Sequence, residues 1–334
     1  MTAQYERIGI IGAGAWGTAL TTVARQRDRD VVIWARESVV VDAINDEHRN
    51  TMFLPETPLD PQVRATSDLA EASDVDAALL VVPGQFLRGV CESLAPHWQA
   101  GVPAVICTKG IEEDSCALMT EVVAAALPQA PQAVLSGPTF AAEVAKGLPT
   151  AVTIACQDDT ISDALTNALG SATFRTYRSN DLVGAEIGGA VKNVLAIACG
   201  IVTGREFGSN ARAALITRGL VEMHRLGEAK GAQRATLWGL CGLGDLVLTC
   251  SSEQSRNMSL GAALGRGERF EDIMASRRSV AEGVFNARAV VKLALELAID
   301  MPICEAVNAI LHDGATIEAE IEKLLARPMG DELA

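Results

Sequence analysis

Lys192 is the one lysine in "GAEIGGAVKNVLAIACGI", residues 184–201, a stretch otherwise rich in glycine, alanine and branched aliphatics. On a helix its neighbours at three- and four-residue spacing are Gly188, Gly189, Leu195 and Ala196, a narrow and mostly apolar face. An ammonium there either snorkels to the surface, pairs with a carboxylate, or is kept for moving a proton. A second isolated charge lies downstream: Asp245 is the only one in "CGLGDLVLTC", residues 241–250. A lone carboxylate in an apolar segment is costly unless paired, so pairing Asp245 with Lys192 would satisfy both. The next segment, "SSEQSRN", supplies Ser255, Arg256 and Asn257, a fork of donors suited to phosphate or, more plainly, a polar loop with an exposed arginine.

A different chemistry is written at the start of the chain. "RIGIIGAGAWGTAL" places Gly12, Gly14 and Gly17 as G-x-G-x-x-G after a strand and at the opening of a helix. These glycines suit a tight turn, close approach of a pyrophosphate and helix-to-strand packing, with the helix N-terminus facing the phosphates. The second strand ends "VVIWAR" with no carboxylate at that end to bind a ribose 2′-hydroxyl, while Arg36 could meet a 2′-phosphate. NADP(H), alongside or in place of NAD(H), is the expected cofactor. Lys109, after the buried run "AVICT", and Gly137-Pro138-Thr139 fall at further strand ends, as ligand contacts or as ordinary loop punctuation.

Elements must hold these residues in place. The first half alternates short β-rich runs, at 7–11, 31–34, 77–82, 102–107 and 132–136, with helical patterns at 18–26, 85–94 and 116–126. That alternation predicts an α/β fold, a doubly wound parallel sheet covered on both faces, which 150–156 and 174–178 extend. Beyond Asn180 long helical patterns take over, at 211–230, 284–299 and 317–326. The expected division is a dinucleotide-binding domain over 1–180 and an all-helical catalytic domain over 181–334. The apolar run 194–202 is nine residues, short of the roughly 20 that cross a bilayer, so a buried helix is expected.

Composition narrows the partners. With 28 Lys+Arg against 42 Asp+Glu, the formal net charge of −14 argues against nucleic acid or an anionic membrane surface. The eight cysteines form no C-x-x-C pair, and no cationic leader with an apolar core opens the sequence, so reduced thiols in a cytoplasmic protein are expected. None of the four histidines stands at metal-ligand spacing, and no metal is expected.

In combination, "IGAGAWGTAL", "TKG", "SGPTFAAEVAKGLPTA", "GGAVKNVLAIACGI", "NARAALITRGL", "GLGDLVLTC", "QSRN" and "AEG" resemble, in order, the bacterial NAD(P)-dependent glycerol-3-phosphate dehydrogenase family. The resemblance implies reduction of dihydroxyacetone phosphate to sn-glycerol 3-phosphate for phospholipid synthesis, by a cytoplasmic homodimer. It implies Lys192 as the catalytic lysine, with Lys109, Gly137, Thr139, Asp245, Ser255, Arg256 and Asn257 around the substrate. Gly12, Gly14, Ala15, Trp16, Gly17, Arg36, Lys109, Ala141, Arg256, Val280 and Glu282 would serve the cofactor. Ala15 departs from the serine of many members, leaving only its N–H for a phosphate. A 3-hydroxyacid or 6-phosphogluconate type dehydrogenase is the nearest rival reading, and a noncatalytic NADP(H)-binding protein the other.

Overall fold

The computed structural model describes residues 5–277 and 281–329. Its strands form one sheet: β1 (Arg7–Ile11), β2 (Asp30–Trp34), β3 (Arg64–Thr66), β4 (Ala77–Leu80), β5 (Ala104–Ile106), β6 (Gln132–Ser136), β7 (Thr150–Cys156) and β8 (Phe174–Ser179). The order is β3-β2-β1-β4-β5-β6-β7-β8. The first six strands follow the dinucleotide-binding order 3-2-1-4-5-6 and run parallel. Ile8, Ile10, Ile33, Leu79 and Val105 are wholly buried in the core, as strands covered on both faces require.

Two features differ from the sequence expectation. β7 pairs antiparallel with β6, and β8 returns parallel to β7, so the sheet is mixed. The short Ala141–Ala145 helix between β6 and β7 packs on the Ala15–Arg25 helix, so this connection makes no parallel crossover. β3 was not expected. It is a three-residue edge strand, "RAT", too short to carry a periodic signal.

The chain divides into two compact units. One holds the residues through Lys109 together with Ala117–Ala185; the other holds Gly110–Cys116 and the residues from Glu186 onward. The Leu182–Gly204 helix starts in the first unit, where Asp181 caps it by accepting from the Gly184 N–H at 2.9 Å, and runs on from Glu186 in the second. At 23 residues this helix is far longer than its nine-residue apolar run, because it begins twelve residues upstream at Leu182 and passes through Glu186, Lys192 and Asn193 without a break. By length and composition it could cross a membrane, yet 89% of its most apolar window is buried within the fold.

Small residues let that helix pack backbone to backbone against the Arg256–Gly265 helix. A methyl at Gly200 would lie 2.1 Å from the Met258 carbonyl oxygen, and one at Gly261 would lie 2.0 Å from that of Ile197. Gly204 and Gly265 repeat the contact one turn on. The crossing brings the Asn257 Nδ2 within 2.9 Å of Asn193 Oδ1, next to Lys192.

Glu222, wholly buried, caps the Pro302–His312 helix by accepting from the Ile303 and Cys304 N–H groups at 2.7 and 3.1 Å. Burial outweighs these bonds and pushes its carboxyl up from 4.5 to about 7. Because the folded state holds the proton more tightly, this stabilisation is full below the unfolded value and is lost as pH rises to about 7. Glu222→Gln has no such carboxyl to ionise. Between pH 5 and 8 the wild type is therefore expected to lose stability relative to Glu222→Gln, by at most about 3 kcal/mol, in urea unfolding. Parallel pH profiles for the two would overturn this assignment.

Candidate active site

In the sheet unit, the glycine turn leads from β1 into the Ala15–Arg25 helix, with Gly14 at the N-cap. A methyl at Gly17 would sit 1.9 Å from the Gly12 carbonyl oxygen, so only glycine lets this helix start so close to the turn. At Gly14 a methyl would meet nothing within 4 Å, which leaves open space where a pyrophosphate must approach. No side chain caps this helix and no acidic residue lies in its first turn, which suits its positive end to an anion. Ala15, Trp16 and Ala141 are half-buried against the same core, and Trp16 Nε1 is buried without a hydrogen-bond partner. These residues fit a dinucleotide.

Beyond the end of β2, the Arg36 guanidinium binds Glu37 Oε1 at 2.9 and 3.3 Å. The Arg36 side chain is 76% exposed, and a surface pair of that kind contributes at most about 1 kcal/mol, so Arg36 can turn to a 2′-phosphate at small cost. Glu37 lies three residues past the strand, beyond the position where the sequence pattern seeks a carboxylate. At the ends of β5 and β6, Lys109 Nζ donates to the Gly137 carbonyl oxygen at 2.9 Å, and the Thr139 hydroxyl donates to it at 3.3 Å. The structure thus brings Lys109, Gly137 and Thr139 together.

In the helical unit the two isolated charges meet. Lys192 Nζ lies 2.5 Å from Asp245 Oδ1, with side chains 8% and 0% exposed. The same ammonium donates to Thr249 Oγ1 at 2.9 Å, and the Thr249 hydroxyl donates to Asp245 Oδ1 at 3.3 Å. Thr249 was not singled out from sequence, where a threonine four residues after an aspartate is unremarkable. Asp245 opens a six-residue helix directly after a π-helical turn, Leu240–Gly244. Such turns frequently mark functional sites. At Gly188 the π-helical turn packs directly on the Lys192 helix, since a methyl there would lie 2.3 Å from the Cys241 carbonyl oxygen.

Ser255 is the N-cap of the Arg256–Gly265 helix, accepting from the Met258 N–H at 3.2 Å, and Arg256 is exposed at the first helical position. Asn257 is buried, with its Oδ1 accepting from the Gly283 N–H at 2.9 Å as well as its Nδ2 bonding Asn193. Glu282 opens the Glu282–Glu296 helix, and a methyl at Gly110 would lie 3.8 Å from its Oε2. Val280 lies outside the described residues. On the same helix Asn286, also missed from sequence, accepts from the Ile111 N–H at 3.3 Å and donates to the Ala190 carbonyl at 3.2 Å. Among the described residues no group of three or more His, Cys, Asp or Glu is placed to hold a metal ion.

A dinucleotide-type sheet with an uncapped glycine turn, joined in one chain to a helical unit with a buried lysine–carboxylate pair, defines an NAD(P)-dependent dehydrogenase. Residues 7–162 match the NAD-dependent glycerol-3-phosphate dehydrogenase N-terminus, and residues 181–322 match its C-terminus. The chain is 57% identical to the glycerol-3-phosphate dehydrogenase [NAD(P)+] of Parvibaculum lavamentivorans, over 99% of this chain and all of that one. It is 55% identical to that of Caulobacter vibrioides, covering 98% and 99% of the two chains. The crystal structure of glycerol-3-phosphate dehydrogenase from Coxiella burnetii superposes with a TM-score of 0.93 at 42% identity, covering 97% and 99%. The chain belongs to the NAD-dependent glycerol-3-phosphate dehydrogenase family.

Proposed function

We propose that the protein reduces dihydroxyacetone phosphate to sn-glycerol 3-phosphate with NADPH or NADH, at the entry to glycerophospholipid synthesis. The observation that carries this reading is the buried Lys192–Asp245–Thr249 cluster, in a chain similar over its whole length to glycerol-3-phosphate dehydrogenases. The reduced nicotinamide supplies the hydride that C2 of the ketone accepts. Lys192 Nζ stabilises the charge that develops on the C2 oxygen and gives that oxygen its proton; in the reverse direction it takes the proton back. Asp245 and Thr249 hold the ammonium in one position while it does so.

The substrate phosphate is bound by Ser255, Arg256 and Asn257 at a helix N-terminus, where backbone N–H groups and the helix dipole favour an anion. Ser255 caps the helix, the Asn257 amide bonds Asn193 and the Gly283 N–H, and Arg256 brings the positive charge that pairs with the phosphate. Family resemblance adds Lys109, Gly137 and Thr139 as substrate residues, and gives Lys109 and Arg256 a role toward the cofactor as well. The sheet unit serves as the dinucleotide-binding domain, with Gly12, Gly14, Ala15, Trp16, Gly17, Arg36 and Ala141; family resemblance adds Val280 and Glu282 as cofactor residues. Family resemblance supports a homodimer working in the cytoplasm.

Steady-state oxidation of NADPH and NADH by dihydroxyacetone phosphate tests the reading. Arg36→Ala is expected to raise KM for NADPH about tenfold while changing that for NADH less than about twofold, as loss of one charge-assisted phosphate contact should. Turnover of a nonphosphorylated hydroxyacid with none of dihydroxyacetone phosphate would overturn the substrate assignment. Unchanged constants for both cofactors would remove Arg36 from the site.

A further inference from the structure

The proposed phosphate end of the site has a second arginine behind it. Arg277 follows the Phe270–Ser276 helix as its C-cap residue, its N–H donating to the Met274 carbonyl at 3.3 Å. Its guanidinium reaches back 21 residues in sequence: Nη1 donates to the Arg256 carbonyl oxygen at 2.8 Å. Nη2 donates to Ser259 Oγ at 3.1 Å, and the Ser259 hydroxyl donates to the same Arg256 carbonyl at 3.1 Å. One planar fork therefore grips the first turn of the Arg256–Gly265 helix at two points, a geometry that an ammonium cannot reproduce.

We infer that Arg277 is a positioning residue for phosphate recognition, clamping the helical turn that presents Ser255, Arg256 and Asn257. This rests on the phosphate role assigned above to Arg256. Electrostatics agree with the geometry. Burial, and after it the positive charge of Arg256, hold Arg277 below its ordinary arginine range, with Glu268 opposing. Two guanidiniums beside the positive end of one helix repel each other, and an arriving phosphate dianion relieves that repulsion. An arrangement that is unfavourable in the empty protein and favourable with an anion gives selectivity for phosphorylated over nonphosphorylated ketones.

The experiment compares kcat and KM for dihydroxyacetone phosphate and for dihydroxyacetone, with both cofactors, in Arg277→Met, Arg277→Lys and Arg256→Met. Thermal melts establish the folded fraction of each. Arg277→Met is expected to raise KM for dihydroxyacetone phosphate about tenfold with kcat within about twofold, and to change kcat/KM for dihydroxyacetone less than about twofold. Arg277→Lys, keeping the charge without the fork, is expected nearer to Met than to wild type. Equal losses on both ketones, an unchanged KM, a lysine variant equal to wild type, or a rise confined to NADPH would each overturn the inference. If Arg256→Met leaves the preference for the phosphorylated ketone intact, the phosphate reading of Arg256 itself has failed, a result separable from failure at Arg277.

Discussion

Lys192→Met is expected to lower kcat at least about a thousandfold and also to destabilise the helical unit by roughly 3–5 kcal/mol. The two effects share a cause. Lys192 is the proposed proton donor to the C2 oxygen, and it is also the counter-ion of a carboxylate that is 0% exposed. Methionine removes the proton and takes the ammonium away from the buried Asp245 carboxylate. A loss of activity in the single variant could then be loss of fold. Lys192→Met combined with Asp245→Leu separates them, because replacing both members of a buried ion pair by apolar groups is often neutral or stabilising. The double variant is expected to recover most of the melting temperature and none of the turnover. Recovery of both would return Lys192 to a purely structural role.

Gly261→Ala is the second large effect, and two opposing contributions decide its sign. On an open helix the change would stabilise by roughly 0.5–1 kcal/mol through helix propensity. Here the new methyl would lie 2.0 Å from a backbone oxygen of the neighbouring helix, which cannot move aside as a flexible side chain could. The helices must separate, at an expected cost of about 3 kcal/mol or more, and Gly261→Val should not yield folded protein. The same separation would pull Asn257 from Asn193 and raise KM for dihydroxyacetone phosphate in any folded Gly261→Ala protein. Urea unfolding reads the first effect and steady-state kinetics the second. A more stable Gly261→Ala protein would show that the close helix crossing is not what holds this unit.

What could be read in the sequence follows from how costly each residue is when left alone. Lys192 and Asp245 were each anomalous in apolar segments, so their pairing was legible without any knowledge of topology. The glycine turn was legible because its spacing answers a steric need, visible in the 1.9 Å that a methyl at Gly17 would leave to the Gly12 carbonyl. Thr249 and Asn286 were not legible. Hydroxyl and amide side chains are ordinary on a helix, and only the fold reveals that one contacts the ammonium and the other joins Ile111 to the Ala190 carbonyl. The antiparallel turn from β6 to β7 escaped because apolar strand runs carry no direction, and β3 because three residues carry no period. The glycines at 200, 204, 261 and 265 read as helix weakeners in isolation; their purpose exists only in pairs from different helices.

In the proposed reaction the chain uses the buried Lys192 to reduce a phosphorylated ketone. The most direct measurement follows loss of NADPH or NADH absorbance with dihydroxyacetone phosphate, for wild type and for the stability-matched Lys192→Met/Asp245→Leu variant. Rapid oxidation by the wild type with loss of at least about a thousandfold in the variant is the expected result. A cofactor-binding wild type that leaves dihydroxyacetone phosphate untouched, or a variant that turns it over at the wild-type rate, would contradict it.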